Sequence, residues 1–224
     1  MRSPLRKAVF DLDNTIVEGV TGLQLALLLE EITQDHDKWR DFWKKQKLFS
    51  NGTVTYDQAI VCLSECFARA VQGMEFKIMK QAIQMLSKTI KIKEDFDKFH
   101  SWLIKKQFQI FVMTASPIEV FDAISRYRFK DVYGLVLDKT NAYTGRVITP
   151  MTVQNKCRIV DKMILKGSSF TFGVSDLIYD MDAFKNLNLR FLLGDQFKTN
   201  DASTSVRSFQ EIITILESAL SQKK

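Results

Sequence analysis

The chain has 224 residues, 46% of them apolar and 26% charged, with a formal net charge of +6. That length supports one substantial core, or a core with a smaller insert, and the mix is that of an ordinary globular protein. No apolar run approaches the roughly 18–20 residues of a membrane span, and three cysteines are too few for a disulfide framework.

The basic start, residues 1–7, is followed only by Ala8-Val9-Phe10 before Asp11. This is no signal-peptide core, so a cytoplasmic protein without membrane partners is expected. Residues 5–10 read as a buried strand that presents Asp11 at its carboxyl end. Between residues 18 and 91 helical periods take over: Leu23, Leu27, Leu28 and Ile32, then Trp39, Phe42 and Trp43, then Ala59, Cys62, Leu63, Cys66 and Phe67. Asn51-Gly52 marks a turn and Thr55-Tyr56-Asp57 a helix start. An all-helical insert is expected there, with Trp39, Phe42, Trp43 and Phe67 as its own small core. Cys62 and Cys66 read as buried, small apolar side chains rather than zinc ligands. His36 and His100 read as solvated surface histidines.

From Glu94 strands and helices alternate. Helices are predicted over residues 95–106, 118–126, 155–165, 180–186 and 209–220, and strands over 108–113, 132–137, 144–147, 169–174 and 190–193. The alternation implies an α/β fold, a parallel sheet with helices on both faces, and a site beyond the carboxyl ends of the strands. Asp11, Thr114 and Asp176 stand at three such ends.

Asp11 and Asp13 are two residues apart, and carboxylates held so close repel each other unless a cation relieves them. Oxygen-rich sites of this kind suit Mg²⁺. Asp176 and Asp180 form a second acidic pair, Thr114 offers a hydroxyl and Lys156 a compact positive charge. Phosphoryl transfer needs such a set: a nucleophile, an acid, a metal and donors that neutralise the transferring group. A basic charge balance also suits nucleic acid, but the lysines and arginines are scattered, so a nucleic-acid partner is not expected.

The set resembles the haloacid dehalogenase superfamily of phosphohydrolases, in particular its phosphoserine-phosphatase-like branch. Asp11-Leu12-Asp13-Asn14-Thr15 is similar to the family's first motif, and Thr114 to its second. Lys156 is similar to the third, and Asp176 with Asp180 to the fourth. Tyr143-Thr144-Gly145-Arg146-Val147 looks like a hairpin that this branch often carries. The resemblance implies a Rossmann-like core from residues 1–17 and 92–224, with an all-helical cap of the C1 type over 18–91. It implies a Mg²⁺-dependent phosphatase acting on a small phosphorylated metabolite through an aspartyl-phosphate. Asp11 would be the nucleophile and Asp13 the acid and base. Asp11, Asp176 and the Asp13 backbone carbonyl would hold the metal, with Asp180 supporting it, and Thr114 and Lys156 would hold phosphate oxygens. Phosphoserine phosphatases usually carry a Glu where this chain has Val20, which argues against phosphoserine as substrate. Glu18 and Gln24 are near enough in sequence to reach a bound substrate. A phosphotransferase and a non-catalytic phosphate-binding protein are the alternatives on the same fold.

Overall fold

The computed structural model describes residues 5–52, 54–165, 167–194 and 203–222. A first strand, β1 (Arg6–Asp11), is followed by α1 (Thr21–Thr33), α2 (His36–Phe49), α3 (Tyr56–Ala70) and α4 (Phe76–Thr89). The chain continues through α5 (Phe96–Lys105), β2 (Phe108–Pro117), a 3₁₀ helix (Ile118–Ile124), β3 (Asp131–Lys139), β4 (Tyr143–Thr149) and α6 (Val153–Leu165). It ends with β5 (Phe170–Ser175), the single turn α7 (Asp180–Ala183), β6 (Leu189–Leu193), β7 (Thr204–Val206) and α8 (Phe209–Ser221). The seven strands form one sheet in the order β4-β3-β2-β1-β5-β6-β7, parallel throughout except for the β3–β4 hairpin.

Strand alternation explains why both sheet faces are covered. Ala8 and Phe10 of β1 pack with Ile110, Val112, Phe172 and Val174, under Phe96 and Phe99 of α5 and Phe209 of α8. Val9 points the other way and joins Phe111 and Met113, with Val160 and Met163 of α6 and Met181 and Phe184 near α7. A glycine is required on this second face of β5. A Cβ on Gly173 would stand 2.5 Å from Phe184 Cδ2 and 2.9 Å from Leu187 Cδ1.

Four helices occupy the stretch where an all-helical insert was expected. Trp39, Phe42, Trp43 and Phe67 pack edge-to-face as its core, with ring centroids 4.9 Å apart for Phe42–Trp43 and 5.4 Å for Trp39–Phe67. That cluster is continuous with the apolar face of β1 and α5. The insert leaves and returns at adjacent points: Val17 bridges Ile92 antiparallel, Glu18 N donates to Lys91 O (2.8 Å) and Lys93 N to Ile16 O (2.9 Å).

Some readings differ from the structure. The helix expected over 118–126 is a 3₁₀ helix ending at Ile124, and the one over 180–186 is a single α-turn. β7 is only three residues long, too short to show a period. His100 is half-buried rather than solvated: its ring lies 5.2 Å from Tyr127 and 6.2 Å from Phe129, and burial pushes its pKa down. His36 is exposed beside Glu30. Cys62 and Cys66 are free thiols, but Cys66 is not purely apolar in its contacts, since its Sγ lies 3.3 Å from Asp41 Oδ2. Among the described residues no helix is long and apolar enough to cross a membrane.

Candidate active site

β1 lies in the middle of the sheet, and its last residue opens into a tight turn. Leu12 O accepts from the backbone N–H groups of Thr15, Ile16 and Val17. Asn14 takes a left-handed conformation (φ 54°), which its short polar side chain tolerates. Its Oδ1 accepts from Gly19 N at 2.9 Å, closing the loop. The turn leaves Asp11, Asp13 and Thr15 directed at three different sets of partners.

Asp11 is buried, and its Oδ1 accepts from Lys156 Nζ at 2.7 Å. Lys156, near the start of α6, is itself fully buried and also donates to both oxygens of Asp180, at 2.8 and 2.9 Å. Ser175 Oγ, at the end of β5, donates to Asp180 Oδ2 at 2.8 Å. One ammonium therefore serves two carboxylates. Burial pulls the Lys156 pKa down, but Asp11 and Asp180 together outweigh it and hold it well above its usual value. Each carboxylate receives only a share of that charge. Burial pushes the Asp11 carboxyl well above the carboxylate range, Lys156 pulls it back, and Asp180 and Asp13 push it further up. Among the described residues nothing donates to Asp11 Oδ2.

Asp13 is held from both sides. Thr21 gives its backbone N–H and its hydroxyl to Oδ1, both at 2.6 Å. Thr114 and Ser116 give their hydroxyls to Oδ2, at 2.6 and 2.9 Å. The two hydroxyls reach it because the β2–β3 ladder lapses between Met113 and Pro117. Gly134 of β3 permits the close approach there, since a Cβ would stand 2.9 Å from Ser116 O. Thr114 thus lies on Asp13, and its oxygen accepts Ser116 N at 2.9 Å.

Thr15 Oγ1 donates to Asp176 Oδ1 at 3.0 Å and accepts Asp176 N at 2.9 Å. Burial raises the Asp176 pKa. Its Oδ2 accepts no hydrogen bond from the described residues. The structure therefore brings Asp11, Asp13, Thr114, Lys156, Asp176 and Asp180 together at the carboxyl ends of β1, β2 and β5. Asp180 lies on Lys156 and Ser175. Among the described residues no three His, Cys, Asp or Glu side chains converge as a metal-ligand group. The Asp13 carboxylate is occupied by hydroxyls and the Asp180 carboxylate by lysine, which leaves Asp11 and Asp176 with an open oxygen each. That donor set fits Mg²⁺, which is commonly held by one or two carboxylates and keeps several waters. Four carboxylates against one ammonium also favour a cation.

Glu18 and Gln24 are not brought to this cluster. They line a separate cleft with Leu27, Thr89 and Lys91, and Gln24 Nε2 donates to Glu18 O at 3.1 Å. Sequence reasoning passed over Thr21, Ser116 and Ser175, whose hydroxyls orient the carboxylates. It also passed over Tyr56, at the start of α3. Tyr56 stacks on Tyr179 (5.2 Å, 18°), and burial, then the charges of Lys156, Asp180, Asp11 and Asp13, act on its hydroxyl. The neighbouring Asp57 caps α6, accepting Val153 N at 2.8 Å. Thr55-Tyr56-Asp57 was legible as a helix start, but nothing in it signalled where that start docks.

No protein-family model and no curated protein matches the sequence. Solved structures do match the fold. One, described as a probable phosphoserine phosphatase from Vibrio cholerae in unliganded form, superposes with a TM-score of 0.74 at 14% identity, over 98% of this chain and 67% of the other. A phospho-aspartyl intermediate analogue of phosphoserine phosphatase gives 0.69 at 17%, over 95% and 99%. A substrate-bound phosphoserine phosphatase complex gives 0.66 at 18%, over 96% and 99%. At these identities the likeness is one of fold.

Proposed function

Because the chain has the fold of the haloacid dehalogenase superfamily in its phosphoserine-phosphatase-like form, we propose that it hydrolyses phosphate monoesters of small molecules through an aspartyl-phosphate on Asp11. The observation that carries the reading is the buried Asp11–Lys156 pair, with one Asp11 oxygen fixed and the other open.

In the first step one Asp11 carboxylate oxygen attacks phosphorus, the other staying available to the metal, and the bond from phosphorus to the ester oxygen breaks. Asp13 gives its proton to the departing oxygen, releasing an alcohol. In the second step Asp13 takes a proton from water as the water attacks phosphorus. This returns free Asp11 and inorganic phosphate. Thr21 fixes one Asp13 oxygen, which aims the other. Thr114 and Ser116 can pass their hydroxyls from Asp13 to phosphate oxygens. Lys156 holds the attacking carboxylate and offsets its charge. Asp180 acts through Lys156 as a positioning residue. Asp11, Asp176 and the Asp13 backbone carbonyl would hold Mg²⁺, which when bound supplies positive charge against the phosphate oxygens. Residues 18–91 would act as the cap over a core of 1–17 and 92–224, excluding water from the site. The contacts Asp57–Val153 and Tyr56–Tyr179 support that arrangement.

Release of inorganic phosphate from a panel running from methyl to p-nitrophenyl phosphate, with Mg²⁺, tests the reading. Asp11→Asn is expected to lower turnover by about 10³-fold or more, as loss of a covalent nucleophile does. Wild-type turnover in that variant, or no hydrolysis across the panel, overturns it.

A further inference from the structure

A cavity of about 80 Å³ lies against Ser116, the residue whose hydroxyl donates to Asp13 Oδ2 at 2.9 Å. Ser116 Oγ also accepts Gly22 N at 2.7 Å, so it ties α1 to the cavity wall. The insert contributes Val20, Leu23, Ile60, Leu63 and Phe67 to that wall, and the core contributes Pro117. Among the described residues, none that lines it is charged. Its hydroxyls are already engaged, Ser116 as above and Ser64 through Ile60 O at 2.7 Å.

We infer that this cavity receives the group esterified to phosphate, and that this group is short, apolar and uncharged. The inference rests on the phosphatase reading. An acid that protonates the ester oxygen must stand beside it, so the rest of the leaving group extends away from Asp13 past Ser116, which touches Asp13 and lines the cavity. An ammonium or carboxylate at the far end of the cavity, away from Asp13, would lose hydration and meet no charged side chain among the described lining residues. The volume admits about two or three water-sized groups, which is a short alkyl chain. Val20 is the specificity-determining position, since it joins the wall from the start of α1 and is 38% exposed.

Propyl phosphate and O-phosphoethanolamine test this, because they differ only in a terminal methyl against an ammonium. The wild type is expected to favour propyl phosphate in kcat/KM by about 10²-fold. Val20→Glu, a change at a partly exposed position, is expected to narrow that ratio about two- to fivefold, the size of one partly exposed charge pairing. Leu63→Phe fills the cavity and is expected to lower kcat/KM for propyl phosphate while sparing methyl phosphate. Equal kcat/KM for the isosteric pair, or no selective effect of Leu63→Phe, overturns the inference while Asp11-dependent hydrolysis of methyl phosphate leaves the phosphatase reading standing. Absence of hydrolysis of every ester overturns both.

Discussion

Removing the Lys156 ammonium would leave Asp11 and Asp180, both buried, facing each other without a cation. Breaking a buried ion pair from one side typically costs about 3–5 kcal/mol, because the remaining charge is uncompensated. Lys156→Met is expected to lower unfolding free energy by that amount in chemical denaturation, and to abolish turnover. Unchanged stability would show that the two carboxylates do not depend on the lysine. Residues of this kind were the most legible in the sequence. Asp11, Thr114, Lys156 and Asp176 each stand at a strand end or helix start, and their order alone suggested a shared site. Their hydroxyl partners were not legible. Ser116 meets Asp13 across 103 residues of sequence, through a local lapse in the β2–β3 ladder that leaves no periodic trace.

A single β5 position shows how tightly the elements are fitted. Gly173→Ala would drive a methyl into the Phe184 ring, which packs from just beyond α7. Overpacking of this sort costs about 1–3 kcal/mol, and a lowered Tm at unchanged helical content is the expected outcome. A Tm equal to wild type would mean that Phe184 and Leu187 yield freely. The same fit explains which elements could be foreseen. β1, β2 and β5 carry apolar residues on both faces and break sharply from the helical periods of the insert, so they stand out. The 3₁₀ helix over Ile118–Ile124 shares its apolar spacing with an α-helix and was mistaken for one. In β7 three residues give no pattern to read.

The apolar cluster runs without interruption from Trp39 and Phe67 of the insert to Phe10 and Phe172 of the sheet. Elements that share one continuous core are expected to lose it together. Trp39 and Trp43 lie in the insert and Trp102 in α5, so Trp102→Phe makes tryptophan fluorescence a probe of the insert alone. Its denaturant midpoint is expected to coincide with that from far-ultraviolet circular dichroism. Two separated midpoints would show that the insert melts independently. The alternation of strands and helices disclosed this α/β architecture from sequence. The docking of α3 on α6 through Asp57 and Val153 was not disclosed, because it depends on the three-dimensional approach of segments 96 residues apart.

The neck at Val17 and Ile92 has a consequence for how such a chain can change. Since the excursion departs and rejoins at paired residues, the sheet does not register its length: closing a longer or shorter loop there costs only slowly more. Loops between those two points can therefore be lengthened or shortened while β1 still delivers Asp11 to the same place, so long as Thr21, Gly22 and Asp57 keep their contacts with Asp13, Ser116 and α6. A change of length in the excursion leaves the register of the strands untouched.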